Sequence, residues 1–221
     1  VMRKPLFIAR QGRHPHGLLG RLVAHIMARE TSAENNRAIE LLGARDIDDI
    51  LDAGTGHGAS IAHLARLFPQ AHITGVDNSD VMMKVARRAN RSFIRKGQVT
   101  LEQASSEDLP FANNTFDKIL SVHTLYFWDP IETHLAEFSR VLKLSGRIVL
   151  GFRPAEDAIV VAKFPSSVYR FRTTDEVTNL LELAGMSVRE VARNDQAGQS
   201  MVWVVAENST SSCMQPSRVA L

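Results

Sequence analysis

The feature that most constrains this chain is a glycine-rich turn between two apolar runs, each of which ends in an acid. Residues 50–58 read ILDAGTGHG, and residues 73–80 read ITGVDNSD. Glycines let the backbone approach a ligand closely, and free N–H groups at the start of the following helix face that ligand. Asp77 ends the second run, about 20 residues after the turn, where a carboxylate can accept hydrogen bonds from a ribose diol. The two segments together predict a nucleotide-binding site.

Apolar runs of strand length alternate with helical stretches around this turn. Strands are predicted at 47–51, 72–76, 98–101, 116–122 and 147–152, with helices at about 57–68, 79–95 and 129–143. Such alternation predicts an α/β fold with a parallel sheet covered by helices on both faces. A helix from Thr173 or Thr174 to about Ala184 then precedes two strands, 186–193 and 200–206, whose short polar connection favours an antiparallel pair at the sheet edge.

Helix boundaries are predicted from capping residues. Before the first strand, residues 17–29 carry an apolar stripe at helical spacing, and a second helix runs from Thr31 or Ser32 to about Leu42, with Gly43 as its stop. For the helix 129–143, the pattern predicts Asp129 as the N-cap with Pro130 at the first helical position.

Composition narrows the classes of function. No uncharged apolar run approaches the roughly 20 residues of a membrane helix, and the basic N-terminus lacks a long apolar segment, so neither stable membrane insertion nor a secretory signal is predicted. Cys213 is the only cysteine, which indicates a reduced, cytoplasmic protein. The net charge of only +2 argues against a nucleic-acid partner, and the basic helix 79–95, which contains a single aromatic residue, Phe93, is interpreted as a solvated helix face. No cluster of residues has metal-ligand spacing, so no metal is predicted.

The glycine turn also bears on the kind of nucleotide. Gly54, Gly56 and Ala59 satisfy the G-x-G-x-x-G/A spacing of dinucleotide enzymes, which leaves a nicotinamide-dependent oxidoreductase as an alternative. Against it, Asp52 stands just before the glycines, where its carboxylate would repel a pyrophosphate but would suit a ligand that carries an ammonium group. The glycines also alternate at every second position as far as Gly58, which predicts a more open turn than the one formed by the dinucleotide-binding motif.

Several motifs, in the same order, resemble those of class I S-adenosylmethionine-dependent methyltransferases of the small-molecule branch. They read LDAGTGHG, GVDNSDVMMKVA, ASSEDLPFANNTFDKILSVHTLYFWDP, LAEFSRVLKLSGRIVLGF and TTDEVTNLLELAGMSVREV. The resemblance implies S-adenosylmethionine as cofactor and a Rossmann-like, seven-stranded sheet whose last strand is inserted antiparallel. On this basis we assign residues 1–44 to an N-terminal helical lid, 45–207 to the cofactor-binding methyltransferase domain and 208–221 to a flexible tail.

The resemblance also implies which residues hold the cofactor. Asp52 would hold the methionine ammonium and Asp77 the ribose hydroxyls, while Met82 packs on the adenine. Ser105 departs from the pattern, because many relatives place there an aspartate that accepts a hydrogen bond from the adenine amino group. The full implied set is Asp52, Gly54, Thr55, Gly56, Gly58, Asp77, Asn78, Met82, Ser105, Ser106 and Ser121.

Methyl transfer from a sulfonium is an in-line displacement, so the protein mainly aligns the acceptor and excludes water. His123 follows the fourth predicted strand and is the candidate general base, with a structural histidine as the alternative. The candidate substrate residues are Tyr126, Trp128, Phe164 and Tyr169. The segment SVHT replaces the Asn/Asp-Pro-Pro-aromatic motif of nucleobase and amide methyltransferases, which disfavours those substrates.

The sequence therefore predicts methyl transfer to an oxygen, nitrogen or carbon of a small, partly apolar molecule. Two alternatives stay open: a nicotinamide-dependent oxidoreductase, and a sensor or scaffold that binds S-adenosylmethionine without turnover. Neither the acceptor nor the oligomeric state follows from the sequence.

Overall fold

The structure is a computed structural model that describes residues 5, 6, 9 and 31–209. The helix predicted over 17–29, most of the predicted lid and most of the predicted tail lie outside these residues. Numbered from the first helix of the continuous described stretch, the elements are α1 (Ser32–Leu42), β1 (Asp49–Ala53), α2 (Ala59–Leu67), β2 (His72–Asp77), α3 (Asp80–Ala89), α4 (Arg91–Arg95), β3 (Val99–Gln103), β4 (Phe116–Val122), a 3₁₀ turn (Leu125–Phe127), α5 (Ile131–Val141), β5 (Leu142–Phe152), α6 (Ala158–Lys163), α7 (Thr174–Leu183), β6 (Met186–Asn194) and β7 (Met201–Asn208).

The seven strands form one sheet in the order β3-β2-β1-β4-β5-β7-β6. Strands β1 to β5 are parallel to their neighbours, whereas β7 is antiparallel to both β5 and β6. The predicted fold class is therefore confirmed, including the inserted antiparallel last strand. Of the predicted antiparallel pair only β6 is an edge strand, because β7 is inserted between β5 and β6, and β3 forms the opposite edge of the sheet.

The sheet is buried on both faces, which is why its central strands read as continuous apolar runs. Neighbouring residues of β1 point to opposite sides: Ile50 packs with α1, α2 and α3, whereas Leu51 packs with α5 and α7. Helix α1 contributes Ala38, Ile39 and Leu42 to the first of these layers. No helix within residues 31–209 is long and apolar enough to cross a membrane.

Two predicted helix boundaries are corrected by side-chain hydrogen bonds. The predicted helix 79–95 is divided at Asn90, whose Nδ2 donates to the carbonyl oxygens of Gly58, at 2.9 Å, and Ala86, at 3.1 Å. The helix predicted from Asp129 begins at Ile131 instead. Asp129 does not cap it, since its Oδ1 accepts a hydrogen bond from Arg170 Nη1 at 2.6 Å.

Strand β5 begins at Leu142, earlier than the predicted 147, because Leu142 pairs with Phe116 of β4 across an irregularity in register. Within this early part of the strand, Ser145 has a left-handed φ of 59°. The segment KLSG is thus an irregular portion of the strand.

Candidate active site

A cavity of about 450 Å³ opens at the carboxyl edge of the sheet, above β1 and β4. The strand order reverses between these two strands, and open α/β sheets bind ligands at such a point. The cavity is lined by Thr31, Asn35, Asp52, Gly54, Thr55, Gly56, His57, Ser60, Val76, Asp77, Asn78, Met82, Ala104, Ser105, Ser106, Glu107, Val122, His123, Thr124, Phe127, Trp128, Asp129 and His134. Nine of the eleven predicted cofactor residues are among them, and Gly58 and Ser121 are not.

The glycine turn is held against the end of β2 by hydrogen bonds from its backbone. Gly54 N donates to the carbonyl of Val76 at 2.8 Å, and Gly56 N donates to Asp77 Oδ2 at 2.9 Å. The other oxygen of this carboxylate, Oδ1, accepts from Ser79 N at 2.8 Å. Hydrogen bonds from the glycine turn and from the turn before α3 therefore orient the carboxylate of Asp77, which lines the cavity.

Asp52 is a buried carboxylate at the other side of the same turn. Its side chain accepts a 2.7 Å hydrogen bond from the Thr55 hydroxyl, and the residue is only 4% exposed. Burial raises the pKa of Asp52 to about 7, while the Thr55 hydrogen bond lowers it and the negative charge of Asp77 raises it further. Such a carboxylate gains most from a ligand that brings a positive charge to it.

The far end of the cavity combines Met82 of α3 with residues that follow β3. Ser106 Oγ lies 2.8 Å from His134 Nδ1, and the indole of Trp128 stacks on that imidazole with ring centroids 5.1 Å apart. Burial lowers the pKa of His134, and the nearby charge of Glu107 raises it. Sequence reasoning missed His134, although a histidine on the apolar stripe of α5 was a readable signal.

Ser105 lines the cavity at the position where the family resemblance implies an aspartate. If this position faces the adenine amino group, Ser105→Asp should tighten S-adenosylmethionine binding about threefold to tenfold, since a charged acceptor forms the stronger hydrogen bond. Calorimetry on the folded variant measures this effect. Asn179→Asp, on the exposed face of α7, adds the same charge as a control. A folded Ser105→Asp variant without cofactor affinity would contradict the predicted position of the adenine.

Gly58 and Ser121, the two predicted cofactor residues that do not line the cavity, make contacts within the protein itself. Ser121 Oγ donates to the carbonyl of Ala53 at 2.7 Å. Gly58 has φ 79° just before α2, and a Cβ there would lie 2.6 Å from Asn90 Nδ2 and 3.0 Å from Ala86 Cβ. The close approach of α2 to α3 therefore accounts for this glycine without a ligand.

Gly58→Ala is expected to lower the melting temperature by roughly 4–10 °C, because strain and a clash of about 1–3 kcal/mol act on a domain of this size. Gly97→Ala is the matched control, with φ 75° but nothing within 4 Å of the added Cβ. Calorimetric melting of both variants separates packing from backbone strain. Equal melting temperatures for the two variants would show that the Asn90 side chain moves aside at little energetic cost.

Of the four predicted substrate residues, only Trp128 lines the cavity. Tyr126, Phe164 and Tyr169 are not among the residues that line this cavity, and their rings pack on one another, so their role in substrate binding stays a prediction. Ring centroids of Tyr169 lie 5.8 Å from Tyr126 and 4.8 Å from Phe164. Large rings bury the most apolar area by packing together, which explains this cluster.

His123 lies at the end of β4 and lines the cavity, with a left-handed φ of 62°. Its Nε2 is 2.5 Å from Glu34 Oε2, and its Nδ1 is 3.1 Å from the Tyr126 hydroxyl. Because both ring nitrogens are engaged, His123 accepts a proton from a substrate only if one of these partners moves. Its predicted role as general base stays a prediction.

The wall opposite the glycine turn includes residues that precede the first strand. Thr31 and Asn35, at the start of α1, line the cavity, and Glu34 contacts His123 between them. This arrangement is compatible with the predicted lid, whose preceding residues lie outside the described part of the chain. The sequence analysis did not predict a role in the site for any of these three polar residues, because only the spacing of their apolar neighbours could be interpreted.

Known proteins share these motifs and this fold. Residues 51–150 match the family described as a methyltransferase domain. The chain is 31% identical over 150 residues to the O-methyltransferase CnsE of Penicillium expansum, a match that covers 65% of this chain and 54% of that protein. It is 35% identical over 135 residues to the ubiquinone/menaquinone biosynthesis C-methyltransferase UbiE of Syntrophotalea carbinolica, covering 61% and 55%. Residues 51–150 therefore correspond to a methyltransferase domain, in agreement with the resemblance of the sequence motifs to class I S-adenosylmethionine-dependent methyltransferases.

Structural comparison supports the fold of this methyltransferase independently. The geranyl diphosphate C-methyltransferase of Streptomyces coelicolor superposes with a TM-score of 0.67 at 17% identity, covering 80% of this chain and 77% of that one. These matches agree with the predicted family, enzyme class and cofactor, and they favour a methyltransferase over the oxidoreductase alternative. The chain spans little more than half the length of the two relatives named above.

Proposed function

We propose that this methyltransferase transfers the methyl group of S-adenosylmethionine to a small, partly apolar molecule. One observation carries the proposal: two carboxylates, Asp52 and Asp77, flank an open glycine turn at the mouth of one cavity. The first suits the ammonium of the methionine moiety, and the second suits the hydroxyls of the ribose. Together they fix the cofactor at two points along its length.

The remaining cavity surfaces complete this placement. Met82 packs beside the adenine, and the hydroxyl of Ser105 and the backbone of Ser106 lie at the ring edge. The sulfonium methyl then faces the end of β4, where Val122 and His123 form the wall. A donor that is already activated needs alignment and exclusion of water more than it needs a strong base.

The cavity walls on the acceptor side support a substrate of mixed polarity. Val122 and Phe127 present apolar surface, while Thr31 and Asn35 present polar side chains. The names of the two relatives include an oxygen and a carbon as acceptor atoms, and both are methyltransferases. Small-molecule acceptors of this mixed character fit both the lining and the relatives.

Calorimetry with S-adenosylmethionine, S-adenosylhomocysteine and NAD tests the cofactor. Binding of the first two, without binding of NAD, is expected. Incubation with donor labelled in the methyl group, followed by extraction of small molecules from cell lysate fractions, then tests transfer. Label in an extractable small molecule supports the proposal, whereas tight cofactor binding with no labelled product from any fraction would identify a non-catalytic binding protein.

A further inference from the structure

The carboxylate of Glu34 joins the first described helix to the ends of two adjacent strands. Glu34 Oε2 lies 2.5 Å from His123 Nε2, at the end of β4, and Oε1 accepts from Arg153 Nη2 at 2.8 Å, just after β5. We call these three residues the Glu34 bridge. Its carboxylate lies 89 residues from His123 in the sequence and outside the matched domain 51–150.

A further hydrogen bond fixes the backbone of Glu34, and the Glu34 side chain is ionised. The indole Nε1 of Trp203, on β7, donates to the backbone carbonyl of Glu34 at 3.0 Å, which fixes the start of α1 against the sheet. Burial tends to raise the pKa of Glu34, but the hydrogen bond from His123 and the positive charge of Arg153 lower it below its usual value. The Glu34 side chain is therefore a carboxylate at neutral pH and only accepts hydrogen bonds.

The hydrogen-bond partners assign the tautomer of His123. The Tyr126 hydroxyl oxygen accepts a hydrogen bond from Arg153 N at 2.6 Å, so its own hydrogen points to His123 Nδ1 at 3.1 Å. Nδ1 is then the acceptor, and Nε2 carries the hydrogen that is donated to Glu34. This pattern corresponds to one neutral tautomer of the imidazole, in which both ring nitrogens form hydrogen bonds.

We propose that Glu34 is a positioning residue for methyl transfer, acting through His123; this inference rests on the proposed function. Its carboxylate fixes the imidazole in one tautomer and one orientation at the acceptor side of the cavity. The same contact holds the first turn of α1 in place, so that Thr31 and Asn35, which flank Glu34, line the cavity. A segment outside the matched domain 51–150 thereby shapes the site where the acceptor must be aligned.

Nuclear magnetic resonance of the full chain, labelled with ¹⁵N in its histidine rings, tests the inference without an acceptor. Wild-type His123 should show Nε2 protonated and Nδ1 unprotonated. Glu34→Gln keeps the shape but removes the charge that strengthens this hydrogen bond, so signals of the second tautomer or averaged nitrogen shifts are expected. Glu40→Gln is the matched control on the exposed face of the same helix, where Glu40 pairs only with Arg37 among the described residues, and it should leave the ring shifts unchanged.

Two further measurements connect the tautomer to transfer. S-adenosylhomocysteine affinity of Glu34→Gln should stay within about threefold of wild type, because the cofactor residues are untouched. Transfer of labelled methyl into the acceptor fraction should fall about fivefold or more, because misalignment is costly, while Glu40→Gln keeps full transfer. Unchanged His123 shifts in Glu34→Gln would overturn the inference, and so would altered shifts with full transfer. Failure of the wild type to bind S-adenosylhomocysteine would overturn the proposed function instead, and the nitrogen shifts would still decide whether Glu34 fixes the ring.

Discussion

Asp77→Ala is expected to weaken S-adenosylmethionine binding about tenfold to a hundredfold, equivalent to roughly 1.5–3 kcal/mol. The substitution removes the proposed acceptor for both ribose hydroxyls. It also removes the acceptor for Gly56 N and Ser79 N, so the glycine turn and the start of α3 lose a shared partner. The loss of affinity therefore combines missing contacts to the ligand with a less ordered free site.

Calorimetry at one temperature and pH measures this change. Asp80→Ala is the matched control, because Asp80 follows three residues later, is exposed and pairs with Lys84 at 2.6 Å on the surface. Asp77→Asn keeps the shape of the side chain and should lose less affinity than Asp77→Ala. Affinity of Asp77→Ala equal to wild type would show that the ribose lies elsewhere.

The cofactor half of the site could be predicted from the sequence because it is built from local chain order. Asp52 and Asp77 each end an apolar strand, and right-handed crossovers place the carboxyl ends of parallel strands at one edge. The glycines lie between them in the same short segment. Residues that are close in the sequence are therefore also close in the folded protein, and the motif alone was enough to predict that they line one cavity.

The acceptor half could not be predicted in the same way, because it depends on contacts between distant segments. Aromatic content indicated that Tyr126 and Tyr169 are important for packing or binding, but not which way each ring points. Glu34 is a single acid on an amphipathic helix, and only the folded chain brings it to His123 and Arg153. Nothing in the local pattern distinguishes it from the exposed Glu40.

Helix and strand boundaries failed where one side chain overrides a periodic pattern. Asn90 interrupts a long helical stretch because its amide bonds the carbonyl of Gly58, which belongs to another helix start. Leu142 leaves α5 for the sheet because it pairs with Phe116. The sequence pattern predicted the type of these elements, while tertiary contacts set their ends. Helix α6 was not predicted.

Asp52→Asn is expected to weaken binding of S-adenosylmethionine roughly tenfold or more at pH 7 and to remove most of its pH dependence. A charge-assisted hydrogen bond is worth about 1.5–3 kcal/mol, and the amide cannot supply the charge. In the wild type, burial raises the pKa of Asp52 to about 7, opposed by the Thr55 hydrogen bond and supported by the Asp77 charge. About half of the free sites are therefore protonated at neutral pH.

The sign of the pH dependence follows from which form the ligand selects. The ammonium of the donor, with a reference pKa of about 7.7–8.0 for an α-amino group, stays charged up to pH 7 and favours ionised Asp52. Binding then releases a proton, and wild-type affinity should rise roughly tenfold from pH 5.5 to 7. His57, His123 and His134 also line the cavity, so the comparison with Asp52→Asn isolates the carboxylate. Calorimetry in two buffers of different ionisation enthalpy counts the released proton, and an equally flat profile in wild type and variant would place the ammonium away from Asp52.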